Sequence, residues 1–366
     1  MSISIEKIRE VVSQIQDPDT QKPLGEGDSI NDIEFSGKRI KVKLKLTNPA
    51  MHHRQRMTDA VQFAVERAFG KEFETDVEIE VDVPKKEDKK PRIPGVKNIV
   101  AVASGKGGVG KSTITANLAV GLVRRGFKVG LVDADIYGPS MPIMLDAYHD
   151  RPGTIDVDGT QRMTPVETHG LKLMSIGFFA DPAQAIVWRG AMATKALRQM
   201  FMDTWWGELD YLLIDLPPGT GDIHLTAVQT VPLTAGVVVT TPQEISLADA
   251  RKGVAMFKLP QINVPVLGII ENMSWFTPEE LPENKYYIFG KEGAKGLADE
   301  MGTSLLGQLP LIQSVREAGD AGRPAILQEE TTARKYLDAI IDNVISALEE
   351  RNDNLPETEV VEITRR

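Results

Sequence analysis

The stretch Ser104-Gly105-Lys106-Gly107-Gly108-Val109-Gly110-Lys111-Ser112-Thr113 constrains this chain more than any other. It fits G-x-x-x-x-G-K-[ST]. The apolar run 98–103 precedes it, and Ile114, Leu118 and Leu122 follow at helical spacing. A buried strand, a glycine turn and a helix in that order make a phosphate-binding loop. The glycines let backbone N–H groups converge on phosphate oxygens, and the helix N-terminus adds partial positive charge. Lys111 is expected to reach the β- and γ-phosphates and Ser112 to ligate Mg²⁺. The bland alternative is a glycine-rich turn with no ligand, and the complete pattern in its strand–turn–helix setting argues against it.

Residues 96–350 repeat the alternation. Apolar runs at 128–133, 171–176, 211–215, 235–240, 266–270 and 304–309 are separated by helical patterns. Near-continuous apolar strands are buried on both faces, so the expected fold is α/β: a P-loop NTPase domain with a mainly parallel sheet. Residues 1–83 have a different character and read as a small α+β domain. Ile5, Ile8, Val12 and Ile15 recur at helical spacing, as do Met57, Val61, Ala64 and Ala68. Ile40, Val42, Leu44 and Leu46 alternate with Lys41, Lys43 and Lys45, as do Val77, Ile79, Val81 and Val83 with polar residues. Residues 84–95 are charged and hold Pro84, Pro91 and Pro94, which reads as a linker. Residues 351–366 are polar and contain Pro356, so a loose tail is expected.

Two further strand ends complete a candidate site. Asp215 closes the run 211–215 and is expected to hold Mg²⁺ through water. The following loop, residues 216–222, is stiff and then flexible, suited to sensing a γ-phosphate. Asp133 and Asp135 close the run 128–133, one for the metal's hydration shell and one for an attacking water; a solvated turn before Gly138-Pro139 is the alternative.

Composition narrows the remaining classes. The formal net charge is −10, which gives no general electrostatic grip on nucleic acid. No apolar run approaches the roughly 20 residues that cross a bilayer, and Met1–Glu6 lacks a secretory pattern, so no membrane partner and a cytoplasmic location are expected. There is no cysteine, which excludes disulfides, thiolate metal sites and cysteine nucleophiles. The five histidines include no i, i+4 pair, so a zinc or iron site from this chain alone is not expected.

These motifs together resemble the deviant phosphate-loop ATPases, a group that includes division-site, plasmid-partition, arsenite-pump and nitrogenase iron proteins. Within it the chain looks most similar to the Mrp/ApbC family of iron–sulfur cluster carriers. The resemblance rests on residues 105–113, Asp133-Ala134-Asp135-Ile136-Tyr137-Gly138-Pro139-Ser140, Trp188-Arg189-Gly190, residues 216–222 and Glu271-Asn272-Met273-Ser274. Residues 1–83 resemble a small iron–sulfur assembly domain through Asp17-Pro18 and Leu46-Thr47-Asn48-Pro49-Ala50.

The resemblance implies ATP as nucleotide, Mg²⁺ as its metal, and hydrolysis to ADP and phosphate by a homodimer. It assigns nucleotide binding to Gly105, Lys106, Gly107, Gly108, Val109, Gly110, Lys111, Ser112 and Thr113, with Asn272 reading adenine. Lys106 would cross to the partner's nucleotide, Asp135 would orient the hydrolytic water, and Ser112, Asp133 and Asp215 would serve the metal. Clusters passed to client apoproteins are the implied cargo. The family's C-x-x-C pair, expected just after Asn-Met-Ser, is absent from residues 275–290, and Met51 stands where the first domain's cysteine would be. Clusters need soft thiolates, so none is expected to bind by the family's route; two routes stay open, action on a cluster carried by a cysteine-bearing partner and ATP-driven closure that loads another protein.

Two other readings stay open. A positioning or partition ATPase predicts a basic amphipathic tail, whereas residues 352–359 are acidic and broken by proline. A nucleotide-gated interaction module would hydrolyse ATP only incidentally. Trp205-Trp206 reads as core or dimer packing, and the lysines of residues 39–45 as the wet face of an edge-like strand.

Overall fold

The computed structural model describes residues 3–17, 22–26, 29–46, 51–81, 93–179, 190–278, 280–281 and 283–358. The chain divides into two compact units, Met1–Lys89 and Lys90–Arg366. Pro18, residues 47–50, the last two residues of the expected first domain (82–83), most of the expected linker (84–92 of 84–95), Trp188-Arg189 and the end of the expected tail (359–366) lie outside the described residues.

The first unit runs α1 (Ile5–Ser13), β1 (Ile30–Ser36), β2 (Arg39–Leu46), α2 (Met51–Phe69) and β3 (Glu74–Val81). Ser4 caps α1 by accepting from the Lys7 N–H. Much of the periodic set is buried together: Ile8 and Val12 of α1, Ile40, Val42 and Leu44 of β2, and Met57 and Val61 of α2. Ile5 and Ala68, expected on the same stripes, are exposed, and Val65 takes the buried place in α2. The lysine strand is not an edge, however. β2 is central, antiparallel to β1 and parallel to β3. Its lysines find acids on both neighbours, Lys41 with Glu78 at 2.8 Å and Lys43 with Glu34 at 2.8 Å. Both pairs are diagonal in the strand register, and opposite charges on neighbouring strands make a half-exposed cationic row tolerable in the middle of a sheet. β1 escaped the sequence reading because only Ile33 of its seven residues is buried.

The second unit contains β4 (Val96–Ser104), α3 (Lys111–Arg124), β5 (Val129–Asp133), α4 (Met141–Met144), β6 (Gly153–Val157), β7 (Thr160–Thr164), β8 (Val166–Thr168), β9 (Leu171–Ser175), α5 (Gly190–Met202), β10 (Leu209–Pro218) and α6 (Asp222–Thr230). It continues with β11 (Ala235–Thr240), α7 (Glu244–Phe257), β12 (Val266–Phe276), α8 (Gly293–Met301), β13 (Ser304–Leu311), α9 (Gln313–Asp320) and α10 (Thr332–Asn354). Eight strands form one sheet in the order β13-β12-β11-β4-β10-β5-β9-β8. All neighbours are parallel except β8 with β9. β6 and β7 form a separate antiparallel hairpin whose side chains are mostly exposed, which is why no apolar pattern announced it.

Val100, Val102, Leu131, Leu213 and Val237 face one core with α3 and α10, while Ala101, Val132, Leu212, Ile214 and Val238 face the other with α5, α6, α7 and α8. Strands that bury both faces read as unbroken apolar runs, and the sequence shows them so. The helical face Ile114, Leu118 and Leu122 of α3 is buried as expected. α10 extends past the expected domain end at residue 350, since Leu348 still packs into the core and Arg351 Nη2 donates to the Pro356 carbonyl at 2.7 Å. After β4 the chain places β5 and β10 on one side of it and β11, β12 and β13 on the other. The strand order therefore reverses at β4, and in such sheets ligands sit beyond the carboxyl ends of the strands at that reversal.

Candidate functional site

The loop between β4 and α3 leaves the sheet at its centre. Two of its glycines are fixed by close approach: a Cβ at Gly105 would collide with the Asp249 backbone of α7, and one at Gly110 would collide with the Asn272 amide. Gly110 also holds a φ of +81°, a left-handed conformation that directs the chain straight into α3. No side chain caps α3, and the N–H groups at its start have no intrahelical acceptor, so they face the cavity as donors. That cavity, of 250 Å³, is lined by Ser104, residues 106–113, Asp135, Ser140, Met144 and Pro218. A larger cavity of 620 Å³ beside α5 is lined by none of the phosphate-loop residues nor by Asp135, so size alone does not find this site.

At the cavity floor Lys111 Nζ lies 2.8 Å from Asp215 Oδ2, and both side chains are almost wholly buried. Ser112 Oγ donates to the same oxygen at 2.7 Å. Thr115 Oγ1 stands 2.8 Å from Asp215 Oδ1 and 2.9 Å from the Lys111 carbonyl, one proton serving two acceptors. Asp133 is the register neighbour of Asp215 across β5 and β10. Its Oδ2 accepts from Ser175 Oγ at 2.9 Å and the Met141 N–H at 3.2 Å, and its Oδ1 from the Asp135 N–H at 3.3 Å. Burial first, and then the Asp215 charge, push the Asp133 carboxyl up to about 7. Burial also raises Asp135, with the Lys111 charge opposing it. Two buried carboxylates and one lysine leave the floor anionic and crowded, an arrangement that a divalent cation would relieve.

The structure thus brings together Lys111, Ser112, Asp133, Asp135 and Asp215. Lys106 rests within its own chain, its Nζ 3.4 Å from Gln243 Oε1. Asn272 was expected beyond a strand ending at residue 270, but it lies inside β12, nearly buried. The register of β12 against β13 slips between Asn272 and Phe276, where Met273 adopts a φ of +56°. This bulge re-aims the strand, and Asn272 Nδ2 donates to the Val109 carbonyl at 2.9 Å. A second cavity, of 200 Å³, opens beside it between Gly110, Thr113, Pro310 and Ile312. The segment 216–222, expected as a loop, begins as strand, since β10 runs to Pro218.

Sequence reasoning missed Thr115, Ser175, Gln243 and His224. Thr115 was findable, one helical turn beyond Lys111. The other three reach the site only through tertiary structure. In residues 275–290 the chain folds back on itself: the Phe276 N–H donates to the Tyr286 carbonyl at 2.9 Å and the Tyr286 N–H to the Phe276 carbonyl at 2.8 Å. Lys285 Nζ lies 4.0 Å from the centroid of the Trp275 ring, which also meets Tyr336 edge-on at 5.6 Å. Glu279 and Pro282 lie outside the described residues. Among the described residues no group of three or more acids or histidines is arranged to hold a metal ion.

Comparison with known proteins agrees in both units. Residues 95–345 match the family model described as NUBPL iron-transfer P-loop NTPase, and residues 5–81 match that of an iron–sulfur cluster assembly protein. An iron–sulfur cluster carrier protein of Synechocystis is 41% identical over 345 residues, 93% of this chain and 97% of its own length. The iron–sulfur cluster transfer protein NUBPL of Dictyostelium discoideum is 45% identical, over 72% of this chain and 81% of its own. Among solved structures, a nucleotide-binding protein of Archaeoglobus fulgidus in complex with ADP has a TM-score of 0.56 and 38% identity. The match covers 63% of this chain and 89% of that one.

Proposed function

The chain belongs to the iron–sulfur cluster carrier family of phosphate-loop ATPases, and from that premise we propose that two copies of it bind and hydrolyse Mg-ATP to drive cluster transfer to client apoproteins. The buried Lys111–Asp215–Ser112 knot at the cavity floor is the observation that carries this reading. A lysine held by a carboxylate at the base of an amide-lined cavity is a phosphate ligand waiting for its anion. On ATP arrival Lys111 exchanges Asp215 for β- and γ-phosphate oxygens, and Asp215 and Ser112 are freed.

Those two residues and Asp133 offer a hydroxyl and two carboxylates, all hard oxygen donors of the kind Mg²⁺ prefers. With no all-protein cage among the described residues, phosphate oxygens and water would complete the shell. The metal when bound neutralises charge on the β- and γ-oxygens. The Asp135 carboxylate lines the same cavity and orients the attacking water, so the β–γ bond breaks to give ADP and phosphate. Lys106 leaves Gln243 for the partner's nucleotide, adding positive charge where the leaving oxygen becomes negative. Asn272 and the adjoining 200 Å³ cavity take the adenine. The cluster is cargo on a cysteine-bearing partner, since this chain has no thiolate to offer it.

Calorimetry with Mg-ATP, followed by a phosphate-release assay, tests the ATP reading. Asp135→Asn should bind ATP with near-normal affinity while kcat falls by roughly 10²–10⁴-fold; unchanged turnover would remove Asp135 from the mechanism. Anaerobic reconstitution with iron and sulfide should leave the protein without stoichiometric iron. Retained iron at one cluster per dimer would overturn the carrier-by-partner version.

A further inference from the structure

One buried polar group near the site has no use in this scheme. His224 is the third residue of α6, and it follows the segment that leaves Asp215: Leu216-Pro217-Pro218-Gly219-Thr220-Gly221. Its ring is 1% exposed. Nδ1 accepts from the Gly221 N–H at 3.3 Å, so in the neutral ring the proton sits on Nε2. Nε2 is sealed from solvent and makes no hydrogen bond. Native structures seldom leave a buried donor unpaired, because the group has lost water without gaining an acceptor. Burial first, and then the charge of Lys111, push the ring down to about 4, while a contact already made with the Pro217 carbonyl, too loose for a full hydrogen bond, opposes that shift. The imidazole is therefore neutral at working pH, with one nitrogen engaged and one donor held only by a loose contact to the Pro217 carbonyl. It touches the last residue of the segment through Gly221 and lies near the second through Pro217. Midway, the Gly219 N–H donates to the Ser104 carbonyl at 2.9 Å and pins the segment to the start of the phosphate loop.

We propose that His224 is a positioning residue for ATP hydrolysis: its loosely held Nε2–H tightens into a full hydrogen bond to the Pro217 carbonyl when the 216–221 segment closes over the γ-phosphate, and so locks the closed form. The inference rests on the ATPase reading above and adds to it a latch for the closed segment. With both ring nitrogens engaged, one side chain ties Pro217 to Gly221 and removes the freedom of the residues between them. The Lys111 charge that acts on the ring moves toward the phosphate in the same event, so nucleotide arrival and ring engagement are linked.

Two near-isosteric variants of the full chain separate this role from simple helix capping. In His224→Gln the amide nitrogen stands in for Nε2 and the Gly221 contact is lost. In His224→Asn the side chain retains an acceptor for Gly221 and has nothing at the Nε2 position. The latch predicts that Asn lowers kcat by about tenfold or more while the Mg-ATP Kd changes by less than about threefold, and that Gln keeps kcat within about threefold. A capping role predicts the reverse order, with kcat following Tm, and that result overturns the proposal.

A measurement on the unaltered protein guards against misfolded variants. With Mg²⁺ and a non-hydrolysable ATP analogue, the His224 Nε2–H should exchange with solvent at least about tenfold more slowly, read by ¹⁵N NMR. An unchanged ring with the analogue bound overturns the His224 role alone. Failure of the wild type to bind the analogue overturns the ATPase reading and this inference with it.

Discussion

Two regions of the second unit, both carried on strands of one sheet, have had opposite fates. The cavity floor concentrates charge in the core: Lys111, Asp133 and Asp215 are all buried, and each oxygen is met by a hydroxyl or amide. Residues 275–290, which begin three residues after Asn272, hold no metal-ligand cluster among their described residues and are anchored by aromatic contacts on Trp275. The first region retains what phosphate chemistry requires, and the second lacks the thiolates that cluster chemistry requires. Nucleotide handling and cargo handling are therefore separable properties of this fold. One depends on groups locked together in the core, the other on a loop that a different packing solution can hold shut.

The comparison predicts that damage should stay on its own side. Lys111→Ala should have the largest effect: Mg-ATP binding is lost in calorimetry, and Asp215 is left buried without its partner. Chemical denaturation should show a loss of about 3–5 kcal/mol. Intact ATP affinity in that variant would break the account of the floor. Trp275→Ala should cost about 3 kcal/mol from lost packing against Tyr287 and Tyr336, with the Mg-ATP Kd within about twofold of wild type. A tenfold change in Kd would show that the two regions are energetically joined.

Asp133→Asn should have the smallest effect and the most specific pH signature. In the nucleotide-free protein the folded carboxyl is raised to about 7 from an ordinary value of 3.8. The unfolded chain therefore releases its proton first, and stability falls as pH rises from about 4 to about 7, then levels off. Asn carries no such penalty. The Tm advantage of the variant should grow between pH 5 and pH 7 and stay constant above, by an amount on the order of a few degrees. A pH-independent difference would place the cost elsewhere.

The fold was legible wherever burial imposed a pattern. Strands covered on both faces and helices with one apolar stripe declare themselves in sequence, and β4, α3, β5 and β10 did so. The exposed β6–β7 hairpin and the mostly exposed β1 bury too little to leave a trace. Within the cavity, the residues on the glycine loop and at strand ends were legible because local geometry alone puts them there. Ser175 and Gln243 were not, since each arrives from a distant part of the chain, and His224, though only nine residues past Asp215, is turned inward by the first turn of α6, which no local pattern announces. Asn272 was set beyond the strand rather than in it, because a bulge with a left-handed methionine leaves no signature in the polar stretch Glu271-Asn272-Met273-Ser274.

That bulge has a mechanical consequence. Asn272 under the glycine loop and Trp275 at the head of the aromatic hairpin ride on one strand, three residues or about 10 Å apart at an ordinary strand rise. Met273 stands between them in a conformation that a side-chain-bearing residue holds only at a cost of about 1–2 kcal/mol. The strand is thus jointed between its two tenants, and the bend at Met273 is the place where a shift of the Asn272 anchor is taken up before it reaches the hairpin.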